Sequence, residues 1–189
     1  SPWSTTTTLS HRVMTNATSW SISTIVSPWS ERSRRISSRS ACFSAGYDLA
    51  GDLMADPAFH TAPGDGVWAR HATQTWLDIW DLAKPVIAQV HGYAIAGATG
   101  LAQACDLVYV ADDVRIGYPI VRVASPPDWQ YHTPLLGMRR AMEIMLLGDD
   151  LTGAEAVAIG WANRAFPAAE LDAAVLDIAE RVAGVETDL

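Results

Sequence analysis

Two glycine-bearing stretches and one proline-led loop hold the residue types that could do chemistry. The first is Phe43-Ser44-Ala45-Gly46-Tyr47-Asp48-Leu49; the second is Gly92-Tyr93-Ala94-Ile95-Ala96-Gly97-Ala98-Thr99-Gly100-Leu101. The third is Pro126-Pro127-Asp128-Trp129-Gln130-Tyr131-His132. Gly46 permits a tight backbone that leaves a neighbouring N–H exposed. Gly97 either lets a backbone N–H approach a ligand closely or lets a helix pack tightly on a sheet. A helix N-terminus opening there would favour developing negative charge. Asp128 could move a proton or attack a carbon, with Tyr131 or His132 close in sequence; it could equally cap the turn after the two prolines. His91 reads as a turn residue rather than a base. Cys42 and Cys105 read as reduced thiols, not as a disulfide framework.

The elements that must position these residues follow from the apolar pattern. Pro85 precedes a β-rich run, Val86–Val90, that reads as a buried strand. A turn over His91–Ile95 is expected next, then a helix of small residues packed closely on the sheet. Upstream, residues 50–65 read as a loop and 66–83 as a helix with Trp76, Ile79, Trp80 and Ala83 on one face. Downstream, Cys105–Ala111 reads as a second buried strand, Asp112-Asp113 as a turn, and residues 120–132 as irregular. Leu135, Met138, Met142, Met145 and Leu146 mark one helix face, opposite Arg139, Arg140 and Glu143. Thr152-Gly153-Ala154-Glu155 is a capping box, and Gly160 ends its helix. Trp161–Phe166 reads as a short strand. A last helix starts at Pro167, with Leu171, Ala174, Val175, Ile178 and Val182 on its buried face.

With 189 residues, 49% of them hydrophobic, the chain can bury a core. No run approaches the roughly 20 apolar residues of a membrane helix, and no apolar signal peptide opens the chain. The net charge of -8 is uneven. Residues 1–40 carry Arg12, Arg32, Arg34, Arg35 and Arg39 against Glu31 alone, so the remainder is strongly acidic and a poor partner for nucleic acid. Nineteen of those first forty residues are Ser or Thr, and Trp3, Trp20 and Trp29 follow no period. Such a segment has little apolar surface to offset its ordering entropy, so residues 1–40 are expected to be irregular or disordered. Their composition also fits a transit peptide, rich in Arg and Ser and poor in acids.

Ala45-Gly46-Tyr47-Asp48-Leu49 and Gly92–Leu101 together resemble the two oxyanion-hole segments of the crotonase superfamily, the enoyl-CoA hydratase/isomerase family. The first segment matches the pattern Ala-Gly-X-Asp-Leu; the second matches Gly-Tyr-Ala-(apolar)-Gly-Gly-Gly-X-Glu-Leu with departures. The resemblance runs from about Ala41 to Leu189. It implies an α/β fold, a spiral of ββα units with C-terminal helices. It implies that the backbone N–H groups of Tyr47 and Gly97 bind a thioester oxygen, with Ala45, Gly92 and Tyr118 lining the acyl-CoA site. It implies no metal and no cofactor other than the coenzyme A thioester as substrate, a cytoplasmic enzyme, and assembly as a homotrimer or hexamer. The family's usual first strands and its Asn-Arg-Pro stretch have no counterpart in residues 1–40, which suggests an out-of-frame reading of the start; with no further helices after Leu189, the chain reads as cut at both ends.

The departures bear on the reaction. A hydratase of this family uses two glutamates, and their positions fall on Gly100 and Ile120. Neither can carry a proton. Isomerases, hydrolases and dehalogenases of the superfamily place an aspartate eight residues beyond the second position, which is Asp128 here. The resemblance therefore implies an acyl-CoA isomerase, hydrolase or lyase rather than a hydratase. The alternative is a catalytically inactive scaffold or a defective gene product.

Overall fold

The computed structural model describes residues 25–26, 42–46, 74, 76–82, 84–122 and 132–185. Its centre is a four-stranded sheet in the order β1 (Ile25–Val26), β2 (Ile87–Val90), β4 (Leu107–Ala111), β6 (Arg164–Phe166). β2, β4 and β6 run parallel, and β1 pairs antiparallel with β2. All four residues of β2 are buried. That is the pattern of a parallel strand covered on both faces, and it explains an apolar run without alternation. A second, two-stranded parallel sheet joins β3 (Tyr93–Ile95) to β5 (Arg115–Gly117). The stretch His91–Ile95, expected as a turn, thus contains a strand. Tyr93, Ala94 and Ile95 find a ladder partner 22 residues downstream, and non-local pairing of that kind overrides local turn chemistry.

Helix α2 (Gly97–Gln103) links β3 to β4, and every residue in it is buried. Gly97, Ala98, Gly100 and Ala102 keep its surface thin, so it lies close to the sheet on all sides. Helix α1 covers residues 76–80, with Trp76 and Ile79 in the core. Trp80, expected on the same face, is 44% exposed. At 100° per residue it falls to the side of the stripe centred between Trp76 and Ile79; Ala83 lies outside the described residues.

Polar side chains fix the strand ends. Asp106 Oδ2 accepts the Val86 N–H at 2.7 Å, and Asn163 Oδ1 accepts the Val108 N–H at 2.7 Å. Gln89, buried in β2, donates to Asp172 at the start of α6 (Leu171–Ala183). Helix α6 packs on the main sheet through Leu171, Val175, Ile178 and Ala179. It begins at Leu171 rather than Pro167, whose carbonyl accepts the Leu171 N–H at 3.1 Å in the preceding turn. Phe43, Ile87, Leu101, Ile116 and Leu171 are the largest side chains shut off from water. Each contributes about 1.5–3 kcal/mol of burial.

The region after β5 corrects one expectation. Following the 3₁₀ turn Pro119–Arg122, two helices stand where one was expected: α3 (His132–Leu136) and α4 (Met138–Leu147). Gly137, with φ 77°, breaks them apart. Leu135, Met138, Met142 and Leu146 are exposed, whereas Ala141, Ile144 and Met145 are buried. Only Met145 of the expected face enters the core. The period marks an apolar stripe, but the burial falls on the neighbouring face, and the 3₁₀ turn meets α4 at its C-terminal end, where Arg122 Nε donates to Leu147 O at 2.9 Å. Helix α5 (Gly153–Ala158) carries the expected capping box in full: Thr152 Oγ1 accepts the Glu155 N–H, and Glu155 accepts the Thr152 N–H at 2.8 Å. The expectation of irregular structure over residues 1–40 falls outside the described residues, except at Ile25–Val26, which pairs with β2.

Candidate functional site

Residues 42–46 lie beside β3. The Phe43 N–H donates to His91 O at 2.9 Å, Ser44 N–H to Tyr93 O at 3.0 Å, and Ile95 N–H to Ser44 O at 3.1 Å. Ser44 pairs with Ala94 as an isolated parallel bridge, so this segment lies alongside β3. Phe43, fully buried, anchors it. Gly46 follows with φ 98°, and its N–H is taken by Ser44 Oγ at 3.2 Å. A Cβ on Gly46 would stand 2.9 Å from Ile95 O, 3.2 Å from the Ala96 Cβ and 3.4 Å from Gly97 N. The two glycine-bearing stretches, about fifty residues apart, therefore meet at Gly46 and Ala96–Gly97.

Gly97 is the first residue of α2 and is buried. No hydrogen bond among the described residues uses its N–H. Its direction is set by Ala96, which has φ 53° and ψ -123°, the only positive φ on a non-glycine among the described residues. Three bonds hold that strained residue. Its N–H donates to Gly117 O at 2.9 Å; its carbonyl accepts the Thr99 N–H at 2.9 Å and the Thr99 hydroxyl at 2.7 Å. A non-glycine in such a region costs on the order of 1–3 kcal/mol and persists only where its surroundings over-determine it. Ser44, Ala96, Thr99 and Gly117 were not singled out from the sequence as site residues. One signal was available at Ala96: it stands where the matched pattern has glycine.

The other expected site residues scatter. Ala45 is exposed beside Gly46. Gly92, with φ 62°, sits at the start of β3, at the far end of that strand from Gly97. Tyr118 is 4% exposed, a core residue just after β5. Gly100 is buried inside α2, and Ile120 is half-buried in the 3₁₀ turn. Neither position offers a titratable group. Tyr47 and Asp128 lie outside the described residues, as does the side chain of His132. Cys105, the one thiol with a strongly displaced pKa, is remote in role: burial first and the Asp106 charge second push it far up, so it stays protonated and inert. No group of three or more His, Cys, Asp or Glu that could hold a metal ion occurs among the described residues, and no helix among them is long and apolar enough to cross a membrane.

The arrangement can present one backbone N–H, that of Gly97, beside a segment whose next residue is Tyr47. A pair of such donors stabilises an oxyanion developing on a carbonyl, and losing one typically costs about 3 kcal/mol in the transition state. Residues 36–188 match the family described as Enoyl-CoA hydratase/isomerase. A probable enoyl-CoA hydratase of Mycobacterium bovis is 32% identical over 139 residues, 72% of this chain and 51% of the relative. A 4-chlorobenzoyl coenzyme A dehalogenase of Arthrobacter sp. is 30% identical over 152 residues, 79% of this chain and 55% of the relative. The chain thus spans about half the length of these curated relatives. The crystal structure of an enoyl-CoA hydratase/isomerase from Xanthobacter autotrophicus Py2 superposes with a TM-score of 0.68 at 31% identity, covering 78% of this chain and 54% of that one.

Proposed function

Because the chain belongs to the enoyl-CoA hydratase/isomerase family, we propose that it binds an acyl-CoA thioester with the carbonyl oxygen between the N–H groups of Tyr47 and Gly97. The contact of Gly46 with Ala96–Gly97 carries this reading, since it brings the two donor segments within van der Waals reach. Two fixed donors polarise the thioester and hold the enolate or tetrahedral oxyanion that follows. Water addition needs two positioned acid–base groups, each worth roughly 10²–10⁴-fold. Gly100 and Ile120 supply none, so hydration is disfavoured. Isomerisation needs one group: Asp128 takes a proton from the carbon next to the thioester carbonyl and returns it to another carbon of the conjugated system. In hydrolysis or displacement, Asp128 acts on water or on the acyl carbon instead. Such chemistry belongs to acyl-CoA and fatty acid metabolism in the cytoplasm and requires no metal or further cofactor. Self-association as a trimer or hexamer is part of the proposal, supported by the exposed Leu135, Met138, Met142 and Leu146.

The second reading, a scaffold that binds without catalysis, is favoured by the same two empty carboxylate positions. The experiment compares wild type with Asp128→Asn on a panel of enoyl-, dienoyl- and aryl-CoA substrates, with thermal shift as the binding readout. Turnover by wild type that falls at least about 100-fold in Asp128→Asn, with ligand-induced stabilisation retained, is expected. Turnover unchanged by the substitution would remove Asp128 from the mechanism. Stabilisation without turnover in either protein would establish the scaffold.

A further inference from the structure

A cavity of about 330 Å³ lies between the start of β4 and the last turns of α6, lined by Leu107, Tyr109, Arg164, Ile178, Arg181, Val182 and Val185. It shares no lining residue with α2 or with the contact between Gly46 and Gly97. Its walls follow from the elements. Ile178 and Val182 continue the core-facing stripe of α6, with Arg181 beside them and Val185 just past the helix end. Upstream, that stripe is closed down on the sheet at Leu171 and Val175; here Val185 is 60% exposed. On the sheet side Tyr109 pairs in register with Arg164. Tyr109 is 6% exposed, and its ring meets that of Phe166 at a tilt, with centroids 6.1 Å apart.

Charge selects the occupant. Arg164 comes from the sheet wall and Arg181 from the helix wall; no acid is among the described lining residues. Asp177 faces Arg181 at 3.8 Å, both side chains 70% exposed, whereas Arg164 makes no ion pair among the described residues. Among the described residues the local balance is one unshared positive charge over an apolar floor, on a chain whose net charge is -8. We propose that this cavity is a second ligand site, for a monocarboxylate with an unbranched apolar tail. The carboxylate takes the Arg164 guanidinium, a two-pronged donor suited to it, and the tail lies along Leu107, Ile178 and Val182. A cavity at the small end of the roughly 300–1,000 Å³ range of ligand pockets takes a medium-chain acid and not an acyl-CoA. This site stands or falls independently of the thioester reading.

Calorimetric titration of the full chain with octanoate, octan-1-ol and acetate tests it. The expected result is saturable 1:1 binding of octanoate, with the alcohol and the short acid each at least about tenfold weaker because each lacks one half of the match. Arg164→Gln should weaken octanoate by about tenfold, and Val185→Trp should block the mouth. Asp177→Asn, which frees Arg181, should tighten it severalfold, a gain that misfolding cannot mimic. Octanoate bound alike by wild type, Arg164→Gln and Val185→Trp would place the acid elsewhere and overturn the proposal. So would octan-1-ol binding as tightly as octanoate, or no saturable heat up to about 10 mM.

Discussion

Ala96→Gly should make the protein more stable, although it removes a methyl group and adds freedom to the unfolded chain. Ala96 stands at φ 53° and ψ -123°, where an L side chain is strained and glycine is not. Relief of that strain is worth on the order of 1–3 kcal/mol. Against it stands the extra backbone entropy of glycine in the unfolded state, about 0.4–1 kcal/mol. The difference is a gain of about 1 kcal/mol. For a chain of this size that raises Tm by about 2–4 °C. In urea, with m of about 1–3 kcal/mol/M, the midpoint moves up by roughly 0.3–1 M at unchanged m. Ala98→Gly is the control: Ala98 is fully buried inside α2 with ordinary helical backbone. There the substitution should cost about 1 kcal/mol. The opposite signs, at positions two residues apart in the chain, isolate φ as the cause. A lower midpoint for Ala96→Gly would refute the strained turn, and with it the account of how the Gly97 N–H is aimed.

Gly46→Ala should be the damaging counterpart. Its φ of 98° and a Cβ 2.9 Å from Ile95 O force the segment off β3, costing roughly 2 kcal/mol or more; urea unfolding and loss of acyl-CoA-induced stabilisation would register it, and undiminished stabilisation would contradict the site. Cys105 makes stability pH-dependent at the alkaline end. Burial and Asp106 raise its pKa above the ordinary 9.0, so beyond pH 9 the unfolded chain sheds a proton that the native state keeps, and stability falls with rising pH. The limiting slope is about 1.4 kcal/mol per pH unit; Cys105→Ala should flatten it, and parallel curves for the two proteins would exclude this thiol as the source. Thr152→Ala should cost about 1 kcal/mol at neutral pH. The Thr152 backbone N–H first and its hydroxyl second lower the Glu155 pKa below 4.5, so that part of the cap is present above pH 4.5 and lost as pH falls through the lowered value; Thr152→Ala keeps the backbone donor, so Glu155→Ala is the variant that should remove the acid-side loss, and an unchanged pH profile in Glu155→Ala would argue against the capping box.

Local chemistry was legible where neighbours in sequence are neighbours in space. The Thr152–Glu155 capping box, the buried strands in Val86–Val90 and Cys105–Ala111, and the apolar stripe of the last helix all rest on contacts within a turn or a pleat. The amino-acid pattern also determined the family, because two short backbone segments must carry glycine or small residues at set places if N–H groups are to be presented. What the tertiary structure decided is which surfaces meet. The stripe of Leu135, Met138, Met142 and Leu146 has the period of a core face, yet the residues that are buried are Ala141, Ile144 and Met145 on the neighbouring face. Tyr93–Ile95 is a strand because Arg115–Gly117 and Ser44 lie alongside it, and no residue within the segment announces either partner. The strain at Ala96 is of the same kind: Thr99 holds its carbonyl from within the same turn, but Gly117 O and Gly46 reach it from two distant parts of the chain, and that convergence exists only once the chain has folded.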